Sequence, residues 1–195
     1  GTVREFVSDI GEEADRLTRI SEHLLALTRL DAGAERVRET VELGAVVEKV
    51  AHLLLPLAQA VEVELKCRIE PACALLATED DIYQVAFNLM ENAIKYNLPG
   101  GRVDVTVRRL GGKVSLVVCD TGVGVPREDM PKIFDRFYRV DKARSRAAGG
   151  TGLGLSIARD TARLHGGDIK VGPNPAGKGT RFEAEFPELK EGDRG

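Results

Sequence analysis

A seven-residue repeat of apolar side chains opens the chain and limits what can surround it. Val3, Ile10, Leu17 and Leu24 form one row, Phe6, Ile20 and Leu27 a second, and only Glu13 breaks the pattern. Two rows with charges between them specify a long helix in a coiled coil or helical bundle, because this spacing keeps one seam turned toward other helices. The other reading is an amphipathic helix packed on its own domain. Gly33 supplies a stop.

The remainder reads as mixed helix and strand. Val46, Val47, Val50, Leu53 and Leu54 recur at helical spacing, and Pro56 should end or bend that helix. Residues 61–69 alternate apolar and charged, as a half-buried strand does, and 72–77 suit a shorter one. Thr78 followed by Glu79, Asp80 and Asp81 marks a capped helix start; that helix should run to about Asn97, before Pro99, Gly100 and Gly101. Strands at 102–110 and 113–119 join through Gly111 and Gly112. A glycine- and charge-rich stretch from Asp120 to Gly150 precedes a helix from about Thr151 to His165 and strands near 168–171 and 180–186. Helices and strands do not alternate regularly, so the expected class is α+β, a two-layer sandwich with a mostly antiparallel sheet behind one long helix. The predicted division is 1–33, a linker at 34–41, a main domain at 42–189 and a tail at 190–195.

Composition closes several routes. A net charge of -3 from 28 basic and 31 acidic residues offers no broad attraction to nucleic acid or anionic lipid. No apolar run approaches the roughly 20 residues of a bilayer span, so no membrane segment is expected. Cys67, Cys73 and Cys119 lack paired spacing and read as buried thiols in a reducing cytoplasm, without a disulfide or zinc site.

Chemistry concentrates in three places. On the helix after Thr78, Gln84, Asn88, Glu91, Asn92 and Lys95 share one side, opposite Ile82, Ala86, Leu89, Met90 and Ala93. Asparagine is a mediocre helix former, so two of them one turn apart suit a ligand better than plain solvent. Asp120-Thr121-Gly122-Val123-Gly124 follows a buried strand, and Gly149-Gly150-Thr151-Gly152-Leu153-Gly154 precedes a helix, an arrangement that brings unpaired N–H groups close to phosphate. Between them Arg136, Arg139, Lys142, Arg144 and Arg146 make the chain locally basic. Other motifs fail. Gly172 to Lys178 begins a phosphate-loop pattern, but Gly179 replaces its hydroxyl residue and no helix follows. Asp120-Thr121-Gly122 as half of an aspartic protease dyad does not suit so helical a chain. Leu155 stands where a dinucleotide fingerprint needs glycine.

Four blocks in order resemble the ATP-binding domain of bacterial sensor histidine kinases, members of the Bergerat-fold ATPases that include gyrase, MutL and the Hsp90 chaperone. NLMENAIKYN (Asn88 to Asn97) is similar to the N box, DTGVGVP (Asp120 to Pro126) to the first glycine box, IFDRFYRVD (Ile133 to Asp141) to the F box and GGTGLGLSIA (Gly149 to Ala158) to the second glycine box. LLALTRLDAG (Leu24 to Gly33) resembles the second helix of the kinase dimerisation domain. The resemblance implies that Asp120 accepts a hydrogen bond from the adenine amino group, with Gly122 and Gly124 keeping that wall thin. It implies Mg²⁺ on the amide oxygen of Asn92, Asn88 beside it, Lys95 near the phosphates, Tyr96 flanking the nucleotide, Thr180 on the adenine side and Arg139 on the terminal phosphate. Gly150, Gly152, Leu153 and Gly154 would belong to a lid over the nucleotide, anchored by Phe134 and Phe137. ATP-hydrolysing relatives carry a water-activating glutamate where this chain has Asn88, which favours transfer to a histidine over hydrolysis.

The family's phosphoacceptor histidine has no counterpart. His23, His52 and His165 sit on the wrong helices and read as structural. The chain is therefore expected to be a piece beginning between the two dimerisation helices, binding ATP without its own target. Implied partners are a response regulator receiver domain and, for the parent, a second copy, in the cytoplasm. The rival readings are a non-catalytic nucleotide-sensing scaffold and a gyrase-like or Hsp90-like ATPase.

Overall fold

The computed structural model describes residues 2–31, 37–141 and 150–190. Lys142, Arg144 and Arg146 of the predicted basic stretch, together with Gly33 and Gly149, lie outside the described residues. In chain order the elements are α1 (Thr2–Asp31), β1 (Glu39–Glu42), α2 (Leu43–Ala60), β2 (Glu64–Ile69), β3 (Ala74–Ala77), α3 (Glu79–Lys95), β4 (Arg102–Leu110), β5 (Lys113–Asp120), α4 (Gly154–Leu164), β6 (Asp168–Pro173) and β7 (Thr180–Pro187).

Five strands form the main sheet in the order β2-β4-β5-β7-β6. β2 and β4 run parallel and the other neighbours antiparallel, as the α+β class requires. Register places Val105 opposite Val118, Val107 opposite Leu116, Val118 opposite Phe182 and Leu116 opposite Ala184. All are buried, so one face of the sheet is a continuous apolar floor for the helices. Ion pairs tile the other face. Glu183 takes Arg108 at 2.8 Å and Arg181 at 2.6 Å, and Glu185 takes Lys170 at 2.8 Å and Lys113 at 3.3 Å.

The period of α3 does what it predicts: Ile82, Val85, Ala86, Leu89, Met90 and Ala93 are buried, which turns Asn88, Asn92 and Lys95 away from the sheet's core. Its start differs from expectation. The Thr78 hydroxyl does not cap the helix but donates to the Val37 carbonyl, leaving Glu79, Asp80 and Asp81 to complement the positive helix end. At the other side of α3, Asp81 meets the His165 ring at 2.8 Å, both buried, and this pair ties α3 to the end of α4.

Three further expectations give way to tertiary structure. α2 runs four residues past Pro56, because Pro56 lies on the exposed side while Leu54 and Ala58 are held in the core. α2 is apolar and long enough to be compared with a membrane span, at a mean hydropathy of 1.3, yet Val46, Val47, Val50 and Leu54 pack in the domain core. The connector at 34–41 contains the start of β1, which pairs antiparallel with β3. Cys67 is exposed rather than buried, since β2 is the sheet's edge; Cys73 is buried and Cys119 half-buried, and all three are free.

The two apolar rows of α1 separate. Leu27 is 6% exposed, wedged against Leu153 and Ile157 of the α4 region, whereas Ile10, Leu17 and Leu24 remain exposed. Leu27 therefore packs on the main domain, while Ile10, Leu17 and Leu24 face outward.

Candidate functional site

A cleft of ≈ 520 Å³ opens where the polar side of α3, the end of β5, the start of α4 and one side of α1 meet. That volume is in the range of small-molecule sites. Asp120, the last residue of β5, lines the cleft and is 4% exposed. Its Oδ1 accepts the Gly122 N–H at 2.9 Å and the Thr180 N–H at 3.2 Å, and among the described residues Oδ2 has no partner. Burial pushes this carboxyl above the usual carboxylate range, while the two amides pull it back. The backbone around it is tight: the Asn174 side-chain amide donates to the Asp120 carbonyl at 2.8 Å, and Gly179 crosses so close that a Cβ there would lie 1.8 Å from the same oxygen.

Along α3, Asn88, Glu91, Asn92, Lys95 and the capping residue Tyr96 line the cleft. Lys95 and Glu91 are paired at 2.8 Å, one turn apart. The Asn88 carboxamide is unusual. At 6% exposure its Nδ2 is buried with no hydrogen-bond partner, and a buried N–H left unmade costs about 1–3 kcal/mol. The Asn92 carboxamide makes no bond to the described residues and reaches the same space. An oxygen-rich ligand would satisfy both.

Another part of the wall is built by Arg139, Asp141 and the glycine turn before α4. Arg139 donates to the Gly150 carbonyl, and Gly150, Thr151, Gly152 and Gly154 line the wall. Gly152 is required by its fold: at φ +74° a Cβ would stand 2.8 Å from the Phe137 backbone, whose N–H donates to the Gly152 carbonyl at 2.8 Å. Phe137, 61% exposed, is thus tied through its backbone and not its ring. Phe134 does pack inward, edge-on to Phe182 with the Arg159 guanidinium over its face. Thr180 and Gly124 are in the lining; Gly122 and Leu153 are not. Gly122 serves close packing, since a Cβ there would meet the Tyr96 carbonyl at 2.3 Å, and Leu153 is buried against α1. Gln84 lies outside the cleft as well.

These residues carry the blocks described above, and a family profile spans them. The profile described as "Histidine kinase-, DNA gyrase B-, and HSP90-like ATPase" matches residues 77–190. The chain belongs to that family. Its similarity to sensor histidine kinases extends through α1. It is 35% identical over 96% of its length to the sensor-like histidine kinase SenX3 of Mycolicibacterium smegmatis, covering 49% of that protein. Against the sensor histidine kinase YkoH of Bacillus subtilis it is 35% identical over 98% of its length and 41% of YkoH. The chain thus spans about half the length, or less, of these relatives. Among solved structures, full-length ShkA in complex with AMPPNP superposes with a TM-score of 0.80 at 30% identity, over 96% of this chain and 39% of ShkA. The histidine kinase ThkA in complex with the response regulator protein TrrA gives a TM-score of 0.76 at 25% identity, over 97% of this chain and 52% of that one.

Within this histidine-kinase-like frame, sequence reasoning missed Arg19, His23, Thr151, Tyr138 and the apolar wall of Val123, Ile133, Leu155 and Phe182. Thr151, a lone hydroxyl inside a glycine run, was the one with a visible signal. His23 is not a bystander of the helix seam: it is half-buried in the cleft wall, with Nδ1 2.7 Å from the Thr151 hydroxyl.

Proposed function

We propose that this chain is the ATP-binding catalytic part of a sensor histidine kinase. It transfers the γ-phosphate of ATP to a histidine on another segment, for relay to a receiver domain. Asp120 carries the reading. A buried carboxylate with one oxygen saturated by backbone amides and the other without a partner is an acceptor for a ring amino group, as adenine presents. The same cleft suits phosphates, with Lys95, Arg139 and the start of α4 in its lining. The chain's own residues bind, orient and neutralise charge; no carboxylate occupies position 88, and Glu91 is engaged by Lys95, which favours transfer over hydrolysis.

The donor set also fits Mg²⁺. The Asn92 carboxamide oxygen, with nucleotide phosphates completing the shell, suits a hard cation that takes few protein ligands, and the unpartnered Asn88 amide can donate to a phosphate or bound water. When bound, the ion would neutralise phosphate charge during transfer. Asn92→Ala should abolish metal-dependent ATP binding in calorimetry while leaving the melting temperature near that of the unaltered chain. Unchanged affinity would defeat the assignment. Transfer itself is read by supplying a histidine-bearing dimerisation domain with labelled ATP: acid-labile phosphate on that domain supports the kinase, whereas steady release of free phosphate indicates an ATPase and tight binding without either a sensing scaffold.

The titration of Asp120 gives a separate check. Its midpoint in carbon-detected NMR should lie above the usual carboxylate range in the free chain and move down on saturation with ATP, because the ligand's amino group bonds to the ionised form. Affinity is then full above the free-chain midpoint and lost as pH falls through it. A midpoint unmoved by ATP would remove Asp120 from the contact. The outward residues Ile10, Leu17 and Leu24 support a homodimer through α1 in the parent protein, and the ThkA complex supports a response regulator as the receiving partner.

A further inference from the structure

We infer that His23 of α1 is a positioning residue for the phosphate-binding part of the cleft, acting through Thr151; the inference rests on the nucleotide reading above. Residues 19, 23 and 27 lie one turn apart on one side of α1. Arg19 and His23 line the cleft, and Leu27 is buried between Leu153 and Ile157. This side of the helix is therefore a wall of the site, and its apolar anchor holds His23 against the turn that opens α4.

The turn needs such a support. Thr151 Oγ1 accepts the Leu153 N–H at 3.2 Å and stands 2.7 Å from His23 Nδ1. Burial lowers the His23 pKa against the opposing pull of Glu91 and Glu22, which favours the neutral ring. The arrangement that gives every proton one acceptor has the Leu153 N–H donating to Oγ1 and the Thr151 O–H donating to Nδ1. α4 has no side-chain cap of its own, and its first residues, Gly154 and Leu155, line the cleft. The direction in which its unpaired amides point is set by Thr151-Gly152-Leu153, a segment flanked and interrupted by glycine and so without stiffness of its own. His23 on Thr151, the Phe137 N–H on the Gly152 carbonyl, and Leu153 in the α1–α4 contact fix that segment from three sides. Loss of the imidazole frees the hydroxyl to rotate and the amides of α4 to wander from the phosphates they would bind.

The test compares substitutions at both ends of the bond, with Mg-ATP affinity read by calorimetry and folding by thermal melts. His23→Leu keeps apolar bulk and removes Nδ1, and is expected to weaken binding roughly fivefold to tenfold, the worth of about one hydrogen bond. His23→Asn places a hydrogen-bonding atom where Nδ1 was and should restore affinity to within about twofold, a rescue that mere packing would not produce. Thr151→Val should weaken binding at least as much as His23→Leu, and the double variant should be no weaker than Thr151→Val alone. Hydrogen exchange at the Leu153 amide, measured without nucleotide, should quicken in His23→Leu. Unchanged affinity in His23→Leu, or failure of His23→Asn to restore it, overturns the inference and leaves the nucleotide site standing. Failure of the unaltered chain to bind Mg-ATP overturns both.

Discussion

Asp120→Asn should weaken ATP binding severely and leave the chain folded. The substituted side chain keeps an oxygen that accepts the Gly122 and Thr180 amides, so the buried turn stays satisfied. Its second atom becomes an NH₂ that meets the ligand's amino group donor to donor. A site built to hydrogen-bond a polar group loses several kcal/mol when that bond becomes a mismatch, so affinity should fall at least about 100-fold, or about 3 kcal/mol. Calorimetry with ADP in the absence of metal isolates this part of the cleft from the phosphate-binding part. Asp120→Ala should behave worse, because it also orphans two buried amides at about 1–3 kcal/mol each and lowers the melting temperature. Full affinity in Asp120→Asn would remove the carboxylate from the site.

Gly179→Ala should be the most destabilising single methyl in the domain. Gly179 has φ +108°, and its Cβ would lie 1.8 Å from the Asp120 carbonyl oxygen and 2.6 Å from its carbon, both backbone atoms with nowhere to retreat. Strain and overlap together should cost about 4 kcal/mol or more, lowering the melting temperature by roughly 8–16 °C in a chain of this size. Gly177→Ala is the control. It also has positive φ, at +142°, but open space around the new methyl, and should cost only the backbone strain of about 1–3 kcal/mol. Equal melting temperatures for the two variants would show that the close crossing at Asp120 relaxes freely.

What the residues declared in advance follows from which forces are local. α3 announces both of its faces through a 3.6-residue period, which put Asn88, Asn92 and Lys95 on one side, and the β4–β5 hairpin announces itself through Gly111 and Gly112; Asp120 stood out through the glycine motif after β5 and the family resemblance. β3, Ala-Leu-Leu-Ala, falls within the short strand expected at 72–77, but β1, Glu-Thr-Val-Glu, is too short to show alternation, and only its pairing with β3 makes it a strand. α2 ignores Pro56 because burial of the turn beyond it outweighs one missing N–H on a wet face. The α1 repeat says that the helix wants apolar partners but not that Leu27 would find them on α4. The His23–Thr151 bond spans 128 positions, and no local rule reports such a contact.

The placement of β7 between β5 and β6 has a consequence for how this protein is made. The amide that steadies Asp120 from that strand belongs to Thr180, 60 positions later in the chain. While the ribosome is still adding that stretch, β5 has an open hydrogen-bonding edge beside Val118 and Leu116, the kind of surface that chaperones or stray strands cover. A nascent or prematurely terminated product ending before Thr180 would therefore be unable to hold nucleotide, and its competence would arrive in one step, when the C-terminal hairpin inserts.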